Sequence, residues 1–398
     1  MALPKGTFTI APGVFWVGVK HDNRRMFDAL IPLPRGTSYN AYLVVGSDKV
    51  ALIDTVNPGF EDELVEKVSV HVDPTKIDYV VMNHAEPDHA NAAKHMLDIA
   101  PNAKLLAGAK GKEAAMMYFD IDPSRIIVVD ETTKIQLGGK TLSFVDAPWL
   151  HWPETIFTYL EEDKILFPCD FFGSHIAHGE FYADEYGNEK SIELAKLYFA
   201  EIMMPFRKQG MNATEKVKKL NPKVIAPSHG VIWRDPHVIL DEYEKWNGEK
   251  FEKKVLIAYV SMWGSCEKMA RTLQEILVKK GVEVNIYDLP NSNIGDLATE
   301  LVDSPILVVG APTVLNGIHP VAAYVALLAK TLRAPTKYAA VLTSYGWGGG
   351  AVKQLQALLD GMKLEILDVV EVKGPPKQAQ FDKIAVLADK IEEKLREF

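Results

Sequence analysis

Hydrophobic and polar positions change rhythm partway along this chain. Two apolar runs within residues 41–54, Ala41-Tyr42-Leu43-Val44-Val45 and Val50-Ala51-Leu52-Ile53, are parted by Gly46-Ser47-Asp48, which predicts a hairpin. Residues 60–72 have helical spacing, and the β-branched run Ile77-Asp78-Tyr79-Val80-Val81-Met82 reads as a buried strand. Further strands are expected at 103–107, 126–129, 141–146, 156–160, 164–168 and 223–226. Helices are expected from about Asn91 to Ile99 and at 111–118, 191–204 and 212–220. Residues 174–190 have no clean period, and a loop of that length is functional or mobile, here a lid. The polar run 246–254 reads as a linker. From Val255 strand and helix alternate regularly, with strands near 255–260, 282–287, 306–310, 339–343 and 364–369. Helices fall near 267–280, 321–333, 351–361 and 381–396. The pattern predicts an α/β chain of two domains. Residues 1–249 form layered sheets covered by helices, and residues 250–398 a doubly wound parallel sheet.

Composition narrows the functions open to such a chain. With 398 residues, 47% hydrophobic and 24% charged, it is an ordinary globular sequence. A formal net charge of −9 argues against a nucleic-acid surface. No apolar run approaches the ~18 residues of a membrane span, and the first residues lack the marks of a signal peptide. The expected location is therefore the cytoplasm. Only Cys169 and Cys266 are present, too few for a disulfide framework or a thiolate cluster. Any metal must be held by histidines and carboxylates.

Such residues crowd one place. His84-Ala85-Glu86-Pro87-Asp88-His89 sets four potential ligands within six positions, directly after the strand 77–82. Pro87 biases Glu86 towards extended backbone. An extended His84–Glu86–Asp88 would aim three side chains one way, and His89 would break the alternation. That geometry suits two adjacent metals better than one. His151, Asp170 and His229 each follow a predicted strand. Each alone would be read as a cap or a surface group; with the cluster they make four histidines and three carboxylates at strand ends.

The order and spacing of these seven resemble the metallo-β-lactamase-like fold, an αββα sandwich, with Glu86 where that fold commonly has a histidine. The added carboxylate oxygen favours non-haem iron over zinc. A carboxylate such as Asp170 can bridge two metals ~3.5–4 Å apart.

The second half has its own candidate site. Ser261-Met262-Trp263-Gly264-Ser265 joins the first strand of the regular pattern to its helix. Hydroxyls and backbone N–H groups at a helix N-terminus make an anion cradle. A generic turn with Ser265 as N-cap is the plainer alternative. Pro312-Thr313-Val314-Leu315-Asn316 follows the third strand, and Ser344-Tyr345-Gly346-Trp347-Gly348-Gly349 the fourth. A flavodoxin-like fold binds FMN at such strand ends, and Trp263, Tyr345 and Trp347 could cover its ring. With no Gly-x-Gly-x-x-Gly, a dinucleotide is less expected.

A metallo-β-lactamase-like half followed by a flavodoxin half resembles the flavodiiron proteins (A-type flavoproteins) over almost the whole chain, in their minimal two-domain form. The resemblance implies that His84, Glu86 and His151 hold one iron and Asp88, His89 and His229 the other, with Asp170 bridging. Ala90-Asn91 departs from the usual small residue and glycine after the last ligand of the cluster, which implies only a local backbone change. His175, in the lid, matches no ligand, and a supporting donor role or surface exposure are equally open. The implied activity is reduction of O2 to water, NO to N2O, or both, with FMN recharging the irons. The implied donor is rubredoxin, reduced coenzyme F420 or another flavoprotein. The implied assembly is a head-to-tail homodimer, possibly a homotetramer, with the flavin of one subunit against the irons of the other. Two other readings compete: a dizinc hydrolase on the same fold, and a non-catalytic redox or gas-sensing flavoprotein.

Overall fold

The computed structural model describes residues 6–398. They fall into two compact units. One holds the residues up to Phe199 together with Phe206–Glu244, the other Ala200–Pro205 with Lys245–Phe398.

The first unit is built on two facing sheets. The larger runs in the order Phe8–Ala11, Val14–Trp16, Tyr42–Val45, Val50–Ile53, Tyr79–Val81, Lys104–Ala107, Ile126–Val128. The smaller runs Lys134–Gln136, Thr141–Asp146, Ile156–Leu160, Ile165–Phe167, Val224–Ile225. Side-chain alternation sorts the larger sheet into two faces. Tyr42, Val44, Ile53, Val81 and Leu106 meet Phe144, Ile156, Leu160 and Phe167 of the smaller sheet. Leu43, Leu52, Val80 and Leu105 meet Leu64, Val68, Met96 and Ala115 of helices Glu61–Ser69, Ala92–Ile99 and Ala109–Phe119. On the smaller sheet Phe157 packs on Phe171, which packs on Tyr243 of the helix Pro236–Asn247. The result is the expected αββα layering. Burying a large aliphatic or aromatic side chain contributes roughly 1.5–3 kcal/mol, and strands buried on both faces hold the loops at their ends firmly.

Several local expectations change. The strands before residue 40 are two to four residues long, too short to show a period. The segment expected as a linker is helical through Asn247, with Trp246 buried, and is strand from Lys254. The helix expected at 191–204 spans Asn188–Tyr198 and continues as a π-helical Phe199–Met203 and a 3-10 turn Met204–Phe206. The long loop is broken by a helical turn, Ala183–Tyr186, and its first residues, Ser174, His175 and Ile176, are buried.

The second unit is a parallel sheet in the order Glu283–Asp288, Lys254–Tyr259, Ile306–Val314, Tyr338–Tyr345, Glu365–Lys373, which is the flavodoxin-like 2-1-3-4-5. Ile257, Val308 and Leu342 face the helices Ser265–Lys279 and Gln378–Leu395, through Met269, Leu273, Leu387 and Ile391. The third and fourth strands run further than the sequence predicts. Pro312, Thr313 and Val314 are strand, and Val314 pairs back with Gly317 around Leu315 and Asn316, whose φ values are 48° and 64°. The crossover helix Ile294–Glu300 was not legible. Among the described residues no helix is long and apolar enough to cross a membrane.

Candidate metal centre and cofactor cavity

The strand Tyr79–Val81 delivers the chain to Asn83 and His84. Glu86 is extended, with φ −64° and ψ 139°, but Pro87 opens a short helix, Pro87–Ala90. Proline suits that position because its missing N–H would have no helical partner there. The turn therefore comes at Pro87 rather than at His89. Asp88 and His89 leave a helical turn instead of an extended run, which corrects the simple alternation expected for His84, Glu86 and Asp88.

The structure brings all seven donors together. His151 Nε2 lies 3.0 Å from Glu86 Oε2, and His84 Nε2 3.3 Å from the same oxygen. His84 and His151 lie 3.4 and 3.6 Å from Asp170 Oδ2. Across Asp170, its Oδ1 is 2.9 Å from His89 Nε2 and 3.4 Å from His229 Nε2. Asp88 completes that side, with Oδ1 3.4 Å from His89 and Oδ2 3.3 Å from His229. His84, Glu86, His151 and Asp170 thus form one ligand-like group and Asp88, His89 and His229 a second, with Asp170 giving one oxygen to each. Asp88 Oδ1, Asp170 Oδ2, His89 Nε2 and His229 Nε2 are buried and make no hydrogen bond. Buried polar atoms without partners are costly, and donors converging like this fit a pair of cations.

The same crowding shapes the titration of the protein alone. Burial opposes charge on His84, but Glu154, Glu86 and Asp170 outweigh it and raise its pKa well above the ordinary value. Burial likewise opposes charge on His89, yet Asp88 and Asp170 lift it to about 9. Against the cost of burial, His151 and His84 hold Glu86 well below the usual carboxylate range, and His89 does the same for Asp170. So many carboxylates share one buried space only because positive charge stands among them.

A second row of side chains, unmarked by any local pattern, fixes the donors. Glu154 Oε1 accepts from His84 Nδ1 at 2.7 Å and from Ala85 N at 3.0 Å. His229 Nδ1 donates to Ser38 O at 2.6 Å. Tyr198 Oη donates to Asp170 Oδ1 at 2.8 Å. Asp54, fully buried at a φ of 54°, accepts from Asn83 N, Asn83 Nδ2 and Ser228 Oγ at 2.8, 2.9 and 3.2 Å. It ties the loop before His84 to the loop before His229. Next to it, Thr55 donates twice to His89 O. His175 is buried, not exposed. Its Nδ1 lies 2.9 Å from Thr37 Oγ1, and its ring packs 4.4 Å from Phe27, 4.7 Å from Tyr198 and 5.1 Å from His229. Burial first, then the His229 charge, pushes its pKa well below the ordinary value, so it stays neutral.

The second unit carries a cavity of about 560 Å³ at its strand ends, within the range of cofactor sites. Ser261, Met262, Trp263 and Ser265 line it from the first loop, and Pro312 and Thr313 from the third strand. Ser344, Tyr345, Gly346 and Trp347 line it from the fourth. Gly374 and Pro375, past the fifth strand, also line it, although nothing in their sequence pattern marks them as site residues. Gly264, Val314, Leu315, Asn316, Gly348 and Gly349 lie outside the lining. Gly264 opens the helix Ser265–Lys279 at a φ of 80°, so Ser265 is the first helical residue and not the N-cap. Gly348 sits at a φ of 85° where any side chain would collide with Asn316 Oδ1. Ser261 Oγ and Thr313 Oγ1 are buried without hydrogen-bond partners, as expected of a polar ligand's site. Trp263 and Trp347 stand 90% and 66% exposed at the rim.

Comparison with known proteins places both halves. Residues 37–230 match the model of the ODP family beta lactamase, and residues 257–386 that of flavodoxin. A nitric oxide reductase of Moorella thermoacetica is 38% identical over 90% of each chain. Among solved structures, the rubredoxin oxygen:oxidoreductase of Desulfovibrio gigas superposes with a TM-score of 0.94 at 31% identity, over 98% of this chain and 99% of that one. The flavodiiron protein of Giardia intestinalis gives 0.91 at 29% identity, over 98% of each.

Proposed function

The chain belongs to the flavodiiron family, and on that premise we propose that it reduces nitric oxide to nitrous oxide, dioxygen to water, or both. Bound FMN and iron supply the electrons: two NO take two electrons and two protons to N2O and water, and O2 takes four of each to two waters. The observation that carries this reading is Asp170, whose two oxygens face two separate groups of donors. The two groups are made of imidazole and carboxylate, a donor set suited to iron that must change oxidation state. Cys169 also stands within reach of His89 and Asp170, but burial pushes its pKa well above the ordinary value and keeps it a thiol.

The chain's own residues have distinct parts in this reading. His84, Glu86 and His151 would hold one metal and Asp88, His89 and His229 the other, with an oxygen of Asp170 available to each. Glu154 and Ser38 O fix the ring orientations of His84 and His229. Tyr198 Oη holds a proton 2.8 Å from Asp170 Oδ1, and neutral His175 holds another beside His229. In the second unit, Ser261, Ser265 and Thr313 offer hydroxyls to the phosphate and ribityl chain of FMN. The N-terminus of Ser265–Lys279 would attract the phosphate, and Trp347 and Tyr345, which line the cavity, would pack against the ring.

The proposed assembly is a head-to-tail homodimer in which one copy's flavin serves the other's metals. Exposed Trp263, Leu315 and Trp347 near the flavin cavity support it. So does a second cavity of about 620 Å³ lined by Met117, Tyr118, Trp149, Trp152 and Glu154, the residue bonded to His84. Apolar surfaces of this kind mark contacts. The donor is a small redox protein such as rubredoxin or a soluble reduced cofactor such as F420, and the reducing cytoplasm fits two buried free thiols.

The test is to mix pre-reduced protein anaerobically with NO or with O2, following N2O by gas chromatography and O2 by electrode. Consumption of either gas, with iron and FMN bound, is expected. Zinc without iron, ester hydrolysis and no gas consumption would replace this reading with a hydrolase. Bound iron and flavin with no consumption of either gas would leave a sensor.

A further inference from the structure

We infer that Glu154 is a positioning residue that makes the two metal positions electronically unequal, so that the His84 side gives up the first electron. The inference rests on the diiron reading above and concerns how this chain's residues divide the pair.

Three features push the same way. On the His84 side, a buried carboxylate accepts the imidazole N–H, with Glu154 Oε1 2.7 Å from His84 Nδ1 and pinned by Ala85 N at 3.0 Å. A carboxylate on the far nitrogen makes a ligating histidine a stronger donor. On the other side, His229 Nδ1 donates to a neutral carbonyl, Ser38 O, and His89 Nδ1 makes no hydrogen bond. The second feature is Asp170. Its Oδ1, facing His89 and His229, accepts from Tyr198 Oη at 2.8 Å, while its Oδ2, facing His84 and His151, makes no hydrogen bond. An oxygen that already accepts a proton has less electron density to give a metal. The third is formal charge. Counting carboxylates in direct contact with a donor histidine, and apart from shared Asp170, Glu86 and Glu154 reach His84 whereas Asp88 reaches His89 and His229. The Trp152 ring stands perpendicular to that of His84, with 5.1 Å between centroids, an apolar neighbour beside a buried pair where charge counts for more. Each feature stabilises the higher oxidation state at the His84 position.

The step is one-electron oxidation of the diferrous pair. One ferrous ion passes an electron to ferricyanide, giving ferrocyanide and a ferrous–ferric pair, with no bond made or broken. The experiment is a potentiometric titration of the full-length, iron-loaded, FMN-containing protein, following the mixed-valent EPR signal and the 57Fe Mössbauer spectrum. Glu154→Gln keeps an acceptor for His84 and removes the charge. The expected result is an upward shift of the mixed-valent/diferrous couple, an altered mixed-valent signal and an unmoved diferric/mixed-valent couple. A shift of the diferric/mixed-valent couple instead means that the His89 side is oxidised first, and overturns the inference. So do two unmoved couples, which would leave Glu154 a merely structural residue. Should Glu154→Gln fail to retain iron, Tyr198→Phe reads the same question from the other side. It restores donor strength to Asp170 Oδ1 and is expected to lower the diferric/mixed-valent couple alone; lowering the mixed-valent/diferrous couple alone, or neither, overturns the inference. Absence of iron in the unaltered protein is a different failure, that of the diiron reading itself.

Discussion

The metal centre and the cofactor cavity, one in each unit, are finished to different degrees. Around the metal centre the donors other than Glu86, Asp88 and His151 are fully buried, and the side chains behind them are already placed by hydrogen bonds. What the protein atoms leave unmet there is charge. The cofactor cavity is the reverse: it has little charge, an open rim of aromatic side chains, and hydroxyls awaiting a partner. The difference teaches what each ligand supplies. Cations complete an electrostatic balance that the first unit has set up at a cost, whereas a flavin fills a shape that the second unit holds without strain. Removing the ligand should therefore disturb the first unit much more than the second.

The largest effect that would sharpen this contrast is at the shared carboxylate. Asp170→Ala should lose both metals and all gas consumption while flavin content stays unchanged, read by elemental analysis and flavin absorbance on one sample. Loss of flavin alongside iron would break the separation of the two sites.

Next in size is the buried clamp. Asp54→Ala leaves the Asn83 amides and the Ser228 hydroxyl without an acceptor, and a buried polar group so orphaned costs ~1–3 kcal/mol. The expected result is a loss of about 3 kcal/mol in the first unit's stability and weaker iron retention, with the second unit's unfolding transition unmoved in chemical denaturation. A change in neither transition would show that Asp54 clamps nothing.

Smaller still is the cavity hydroxyl. Thr313→Val removes a buried oxygen that has no partner before flavin binds, so the apo protein should be as stable or slightly more so. FMN should bind about tenfold more weakly, for one hydrogen bond of ~1.4 kcal/mol, by flavin fluorescence titration. Unchanged affinity would remove Thr313 from the flavin site.

The last effect, confined to the metal-free protein, is a pH dependence. His89 titrates at about 9 when folded and near 6.5 when unfolded. A raised histidine stabilises fully below the unfolded value and loses that contribution as pH rises through the folded one. Metal-free protein should lose several degrees of melting temperature between pH 7 and 10, while iron-loaded protein, with cations in place of those protons, should stay level. Equal slopes would contradict the charge account.

Much of this was legible in the sequence for identifiable reasons. The second unit's strands and helices alternate at regular length, so its topology could be read from apolar runs alone. The seven metal-side donors stand out because histidine and carboxylate are expensive to crowd and all seven close a strand. Asp54, Glu154, Tyr198 and Thr37 did not stand out. Each is a single polar residue whose partner lies 28 to 138 positions away in sequence, and nothing local marks such a pairing. Gly374-Pro375 looked like an ordinary turn, and its place in the cavity depends on the length of the fifth strand. The helix at Pro87 is hidden because proline both holds the residue before it extended and opens a helix, and the two effects point to different paths for Asp88 and His89.

The central claim is that Asp170 stands between two irons. Anomalous diffraction from crystals of anaerobically purified protein, collected above and below the iron absorption edge, tests it most directly. Two iron peaks are predicted, one among His84, Glu86 and His151 and the other among Asp88, His89 and His229, each beside a different oxygen of Asp170. A single peak, or signal that appears only above the zinc edge, would contradict the account.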